Sequence, residues 1–189
     1  MRFLYLARHG EATPDETGLT DTGRRQAELL GERLRDLPIQ VIHHGPLPRA
    51  AQTASIVSAH LPGVPVHVSE AAGDYVPWFP GPDAFPEEDR EVGPALAREA
   101  EAAFTGVTDE PRTELVITHG FLIAWLVRAA LEAPEARWIG LNSGNTGLTC
   151  IRYSPDRPPA PLFFNDLGHL PPELRWTGFP PALRPSGTD

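Results

Sequence analysis

The chain has 189 residues with 16 basic and 25 acidic side chains, a formal net charge of -9 and 41% hydrophobic residues. All 16 basic residues are arginine, which excludes a Walker-type phosphate lysine, a lysine Schiff base and a catalytic ammonium. A lone cysteine, Cys150, excludes an intrachain disulfide and a thiolate-built zinc site, and a chain of this length buries enough surface to fold as one domain without either.

An acidic balance without basic clusters argues against nucleic acid or an anionic membrane as partner, since both are held by arginine and lysine patches. Any anionic ligand must therefore be bound by a local arginine cluster. The apolar run that opens the chain is interrupted at Arg8, too early for a secretory signal. The longest apolar run, Phe121 to Val127, falls well short of a bilayer span. The expectation is a soluble, cytoplasmic protein.

In chain order, Phe3 to Ala7 reads as a strand, and Asp21 to Leu37 as a helix with Ala27, Leu30, Leu34 and Leu37 on one face and Thr20 or Asp21 as N-cap. Ile39 to Ile42 reads as a second strand and Leu47 to His60 as a helix closed by Leu61-Pro62-Gly63. Val64 to Val68 is a third strand candidate. The prolines at 77, 80, 82, 86 and 94 mark a loop, followed further on by a fourth strand, Leu115 to Thr118, and a helix, Phe121 to Glu132. Gly147 to Tyr153 is a weaker strand candidate, and the chain from Pro155 onward, rich in proline, reads as loop.

Strand then helix, repeated, predicts an α/β fold: a three-layer sandwich with a mostly parallel sheet, helices on both faces and a short cap inserted after the third strand. One domain is expected over 1–189, with the cap at about 75–95 and a proline-rich tail at about 171–189.

Ligands of open parallel sheets bind at the carboxyl ends of the strands. The first strand ends in Arg8-His9-Gly10-Glu11, and the second in His43-His44-Gly45 with Arg49 opening the next helix. The third is followed by Glu70 and Asp74, and the fourth ends in Thr118-His119-Gly120. Two arginine forks match the oxygens of a phosphoryl group. Histidine serves as nucleophile or general acid and base, and a carboxyl group can protonate a leaving alcohol and later deprotonate water. That set describes phosphoryl transfer through a phosphorylated histidine.

Arg8-His9-Gly10-Glu11, Leu19-Thr20 with Gly23 and Gln26-Ala27, Pro46-Leu47 with Arg49-Ala50 and Gln52-Thr53-Ala54, and Thr118-His119-Gly120 resemble the histidine phosphatase superfamily, with its phosphoglycerate-mutase-like fold. The resemblance runs from residue 1 to about 170, with Asn145-Thr146, Asn165-Asp166 and His169-Leu170 echoing the closing elements. It implies that His9 takes up the phosphoryl group, that Arg8, Arg49 and His119 complete the phosphate pocket, and that Glu70, or its rival Asp74, is the proton donor. No cofactor and no metal is implied. Many relatives carry serine where Gly45 stands, and the mutase branch carries asparagine at Asp15. These departures, with the short cap, favour hydrolysis of a small organic phosphate over the two alternatives, mutase-type phosphoryl transfer and a catalytically silent module that binds phosphorylated ligands.

Other residues have plainer readings. His43 and His44 point to opposite faces of a strand and are expected in packing roles rather than on a metal. Tyr75, Trp78, Phe79 and Phe85 are expected to pack the cap onto its domain, the alternative being that they wall the pocket and prefer an apolar organic phosphate; the acidic run Glu87 to Glu91 is expected to start a solvated helix, Trp125 and Leu126 to sit in the core, and Gln52 to be structural.

Overall fold

The computed structural model describes residues 1–78 and 89–185. Phe79, Phe85 and most of the expected cap lie outside the described residues, as do Glu87 and Glu88. The architecture is a six-stranded sheet in the order β3-β2-β4-β1-β5-β6. β1 (Arg2–Arg8), β2 (Val41–His44), β3 (Val66–Val68) and β4 (Arg112–Thr118) run parallel, while β5 (Leu148–Ser154) and β6 (Arg157–Asp166) are antiparallel additions at one side. α1 (Asp21–Leu34) and α2 (Pro48–Ser58) pack on one face around Leu30, Ile42, Ala54 and Ile117. α3 (Asp89–Phe104) and α4 (Gly120–Ala130) pack on the other around Leu6, Val116, Ile123 and Leu126. The sheet is mostly parallel with helical layers on both faces.

The central strand β4 carries the near-continuous apolar run Leu115-Val116-Ile117 because both of its faces are covered. It begins earlier than expected, at Arg112, since the buried Glu114 is neutralised by the buried Arg2, whose Nε lies 2.9 Å from Glu114 Oε2. β2 starts later than expected because Pro38 and the tight turn from Leu37 to Ile39 delay the chain's entry into the ladder. β3 pairs only from Val66, as Pro65 has no amide hydrogen to give.

α1 starts where expected, with Thr20 Oγ1 accepting from the Gly23 amide at 2.9 Å. It stops at Leu34, and Leu37 packs against the core from the turn that leads to Pro38. α2 opens with Pro48 at its first position, where the missing amide hydrogen costs nothing.

α3 starts at Asp89, inside the acidic run expected to open a helix, and two segments that their prolines mark as loop are regular. Proline did not stop α3, because Pro94 lies near its amino end and removes one intrahelical bond. Nor did Pro158, Pro159 and Pro161 prevent β6. It is an edge strand paired only with β5 through an irregular ladder, so proline nitrogens can face away from the partner.

Candidate active site

The register of the two central strands builds the site. Arg8 pairs with Thr118 across β1 and β4, and the His9 amide donates to Thr118 O at 3.0 Å. His9 and His119 therefore leave adjacent strand ends side by side, with ring centroids 5.0 Å apart. Behind His9 the chain folds tightly onto the start of α1. A side chain at Gly23 would run into the Glu11 carbonyl, which explains glycine there.

His9 is 6% exposed and held at both ring nitrogens. Nδ1 lies 2.7 Å from Gly10 O, and Nε2 lies 3.2 Å from Arg49 Nε. A carbonyl only accepts and a guanidinium only donates, so both contacts require the neutral tautomer with hydrogen on Nδ1 and an unprotonated Nε2 whose lone pair accepts from Arg49. Burial, then the nearby His119 and Arg8, push the His9 pKa down to about 3. His119 is likewise pushed to about 3, by burial and then by Arg49 and Arg8. Neither ring nitrogen of His119 has a hydrogen-bond partner, although Nδ1 stands 3.5 Å from Asp74 Oδ2.

Arg49, in the first turn of α2, is 5% exposed and spreads its fork over two carboxylates. Its terminal nitrogens lie 2.7 Å from Asp74 Oδ2 and 3.2 Å from Glu16 Oε2. Arg8 donates to Ser143 O at 2.8 Å, while its buried Nε has no partner. Burial lowers the Arg8 pKa, partly offset by Asp74.

A cavity of about 370 Å³ opens over these groups, lined by Arg8, His9, Asp74 and His119 together with Phe121 and Phe179. A larger one, about 570 Å³, lies at the amino end of β4 between Gln40 and Arg112, and none of the candidate residues lines it.

Of the two carboxylates suggested by the sequence, the fold brings in Asp74 and leaves Glu70 out. Glu70 starts a 3-10 turn, Glu70–Ala72, is exposed and does not line the cavity. Gly45 packs where a side chain has no room, since a Cβ there would stand 2.5 Å from Ala72 O. Asp15 is turned into its own loop, accepting from the Thr13 and Thr17 hydroxyls at 2.6 and 2.9 Å, which hold its carboxyl below the usual range.

Asn145 and Thr146 clamp the end of β1. Asn145 Nδ2 donates to His9 O at 3.0 Å and the Thr146 amide to Arg8 O at 3.0 Å. His169 approaches the Thr146 hydroxyl at 3.2 Å. Gln52 accepts from the Leu19 amide at 2.9 Å, a structural role.

Trp125 and Leu126 are buried core residues. His43 stacks near Phe104 and His67, and among the described residues no group of histidine, cysteine, aspartate and glutamate side chains is arranged to hold a metal ion. Tyr75 and Trp78 pack against the core.

Sequence reasoning missed Glu16 and the tail. Glu16 reaches Arg49 from a left-handed backbone conformation, φ 58°, in the loop before α1. Nothing in the residue order announces such a turn. The tail returns to the site because Gln26 Nε2 on α1 donates to Leu174 O at 2.8 Å and to Thr177 Oγ1 at 3.0 Å. Phe179 then lies 5.5 Å from the Arg8 guanidinium.

A family model described as the histidine phosphatase superfamily (branch 1) matches residues 4–75 and 67–166. The chain belongs to this superfamily. It is 32% identical over 186 residues to the mitochondrial serine/threonine-protein phosphatase Pgam5 of Caenorhabditis briggsae, with 90% of this chain and 65% of that protein covered. The chain thus spans about two thirds of the length of that relative.

Among solved structures it is similar in fold to YhfR of Bacillus stearothermophilus, at 23% identity and a TM-score of 0.71 over 89% of this chain and 99% of that one. It is also similar to a phosphoserine phosphatase mutant from Entamoeba histolytica in complex with phosphoserine, at 21% identity and a TM-score of 0.68 over 90% and 100%. The phosphoglycerate-mutase-like fold expected from the motifs is the fold of this superfamily member.

The cytoplasmic location is overturned by the Pgam5 relatives, which are mitochondrial. The shortness of its apolar runs misled that expectation, because run length speaks to membrane insertion and not to compartment. No helix among the described residues is long and apolar enough to cross a membrane.

Proposed function

We propose that the protein is a phosphomonoesterase that hydrolyses a small organic phosphate through a phosphohistidine on His9. The observation that carries this reading is the double hold on the His9 ring, which fixes an unprotonated Nε2 beside the Arg49 guanidinium. An imidazole with its pKa near 3 is a free nucleophile at any pH near neutral.

His9 Nε2 forms the bond to phosphorus as the bond from phosphorus to the ester oxygen breaks in line. Asp74, carrying a proton in the productive state, gives it to the departing alkoxide, and the alcohol leaves. Water then attacks the phosphohistidine, Asp74 takes the water proton, the bond to Nε2 breaks and inorganic phosphate departs. Arg8 and Arg49 neutralise the phosphoryl oxygens, and the unpartnered His119 ring offers one more hydrogen bond as the charge spreads. The carboxyl group of Asp74, 2.7 Å from Arg49 and 3.5 Å from His119, favours turnover over a silent binding module. A serine/threonine phosphatase relative and a phosphoserine phosphatase neighbour support phosphate esters of alcohols as the substrate class.

The test is hydrolysis of an aryl phosphate by wild type and His9→Ala, with circular dichroism to establish that the variant is folded. A folded His9→Ala is expected to lose activity by at least about 10⁴-fold; full activity in it rejects the mechanism.

A further inference from the structure

Beyond the phosphate pocket the cavity wall changes character. Phe121, 43% exposed, and Leu141 stand on one side, and Phe179 and Leu183 from the tail stand on the other. A second recess of about 270 Å³ adjoins it, sharing Phe121, Leu141 and Asn142, and continues over Trp138 and Ile139. Phe121 is held edge-on against the buried Trp138 with ring centroids 5.1 Å apart, so this shelf is set before any ligand arrives.

The charge of this wall is as telling as its shape. Arg8 lines the cavity and Arg49 stands at the His9 ring, and the phosphoryl group claims both. The sequence has no lysine. Asp74 stands in the same cavity. A leaving group with its own carboxylate would meet no charged side chain among the described residues of the recess over Trp138 and Ile139, whereas an apolar group would remove Phe121, Ile139 and Leu183 from water, where they are 43%, 51% and 69% exposed.

We infer that the recess formed by Phe121, Trp138, Ile139 and Leu141, faced by Phe179, is a leaving-group subsite that takes an uncharged apolar group, so the substrates are phosphate monoesters of aryl or extended alkyl alcohols rather than phosphorylated hydroxy or amino acids. This inference rests on the phosphomonoesterase reading and names the substrate class of that same site. The shelf acts on binding and on orientation of the ester, not on the bonds that change.

The test is kcat/KM of the full chain for 1-naphthyl phosphate, 3-phosphoglycerate and phosphoserine. Wild type is expected to prefer the naphthyl ester by at least about tenfold over both carboxylated esters, the scale set by a few buried methylenes and one unpaired charge. In Phe121→Ala the naphthyl KM is expected to rise, and the naphthyl to 3-phosphoglycerate ratio to fall by about fivefold or more. In Leu141→Arg, 3-phosphoglycerate is expected to gain on the naphthyl ester. Equal or reversed preference in wild type overturns the subsite while leaving the phosphatase reading in place. Absence of turnover on all three esters overturns both. The wild-type series decides the matter even if a variant fails to fold.

Discussion

His9 and His119 stand one residue beyond a paired Arg8 and Thr118, at the ends of neighbouring parallel strands, and their rings lie 5.0 Å apart. Two imidazoles so close in a buried, arginine-rich pocket cannot both be charged without cost, and both are pushed down to about 3 by burial first and by their charged neighbours second. The neutrality of both rings thus follows first from burial and then from the charged groups around them, while backbone register places the two rings side by side.

That depression has a sign that can be measured. Between about pH 3 and about pH 6.5, the ordinary histidine value, the unfolded chain binds protons at these positions that the folded chain does not. The stability these residues contribute is complete above about pH 6.5 and is lost progressively as pH falls toward 3. His169, pushed to about 4 by burial, adds to the same trend. Histidine NMR at pH 5 is expected to show His9 neutral with hydrogen on Nδ1, and urea unfolding followed from pH 7 to pH 4 is expected to show a steeper loss of stability for wild type than for His119→Gln.

Asp74 and Glu70 are separated by a leaving-group test. Asp74→Asn is expected to lower kcat on alkyl phosphates by about 10² to 10⁴, because their alkoxides need a proton as they depart. On 4-nitrophenyl phosphate, whose leaving group needs little help, the loss in the first step is expected to be much smaller. Glu70→Gln, on the exposed turn, is expected to change either rate by less than about twofold. Equal losses for both variants would remove Asp74 from the donor role.

Arg49 is held between Asp74 and Glu16. A phosphoryl group has to share the guanidinium with these carboxylates, so Glu16→Gln is expected to lower the inhibition constant of inorganic phosphate several-fold. Arg49→Ala is expected to cost about 10² to 10³ in kcat/KM. Arg49→Lys should recover little of it, because a point charge cannot keep the fork that spans His9, Asp74 and Glu16. Steady-state inhibition and rate measurements check all three.

At the other end of the sheet, Arg2 and Glu114 form a buried ion pair, and Arg2 also donates to Ala103 O at 2.7 Å and Thr105 O at 3.1 Å where α3 ends. Glu114→Ala strands a buried guanidinium and is expected to cost about 3 to 5 kcal/mol in urea unfolding. Activity per folded molecule should stay near wild type, as Arg2 sits six residues before Arg8 on β1 and Glu114 four residues before Thr118 on β4.

Arg8, His9, Arg49 and His119 were legible because each is tied to the end of a strand or the first turn of a helix, where apolar runs and Pro48 mark the boundary. Asp74 was legible only as one of two, because the 3-10 turn that swings it inward is fixed by packing of Ala71 and Ala72 rather than by periodicity. β6 was hidden by its prolines, whose tolerance depends on lying at the sheet edge, a property of strand order and not of the segment itself. The tail's return to the site depends on hydrogen bonds from Gln26 across about 150 residues of chain, as the separation of 148 between Gln26 and Leu174 records. No local pattern carries that information.

The most direct measurement is rapid acid-free quenching of the enzyme with a labelled aryl phosphate, followed by peptide mass spectrometry. Phosphate attached to His9, stable in alkali and lost in acid, appearing and decaying within the turnover time, is the result expected. Label on another residue, or full turnover with no covalent phosphate at any time, would contradict the central claim.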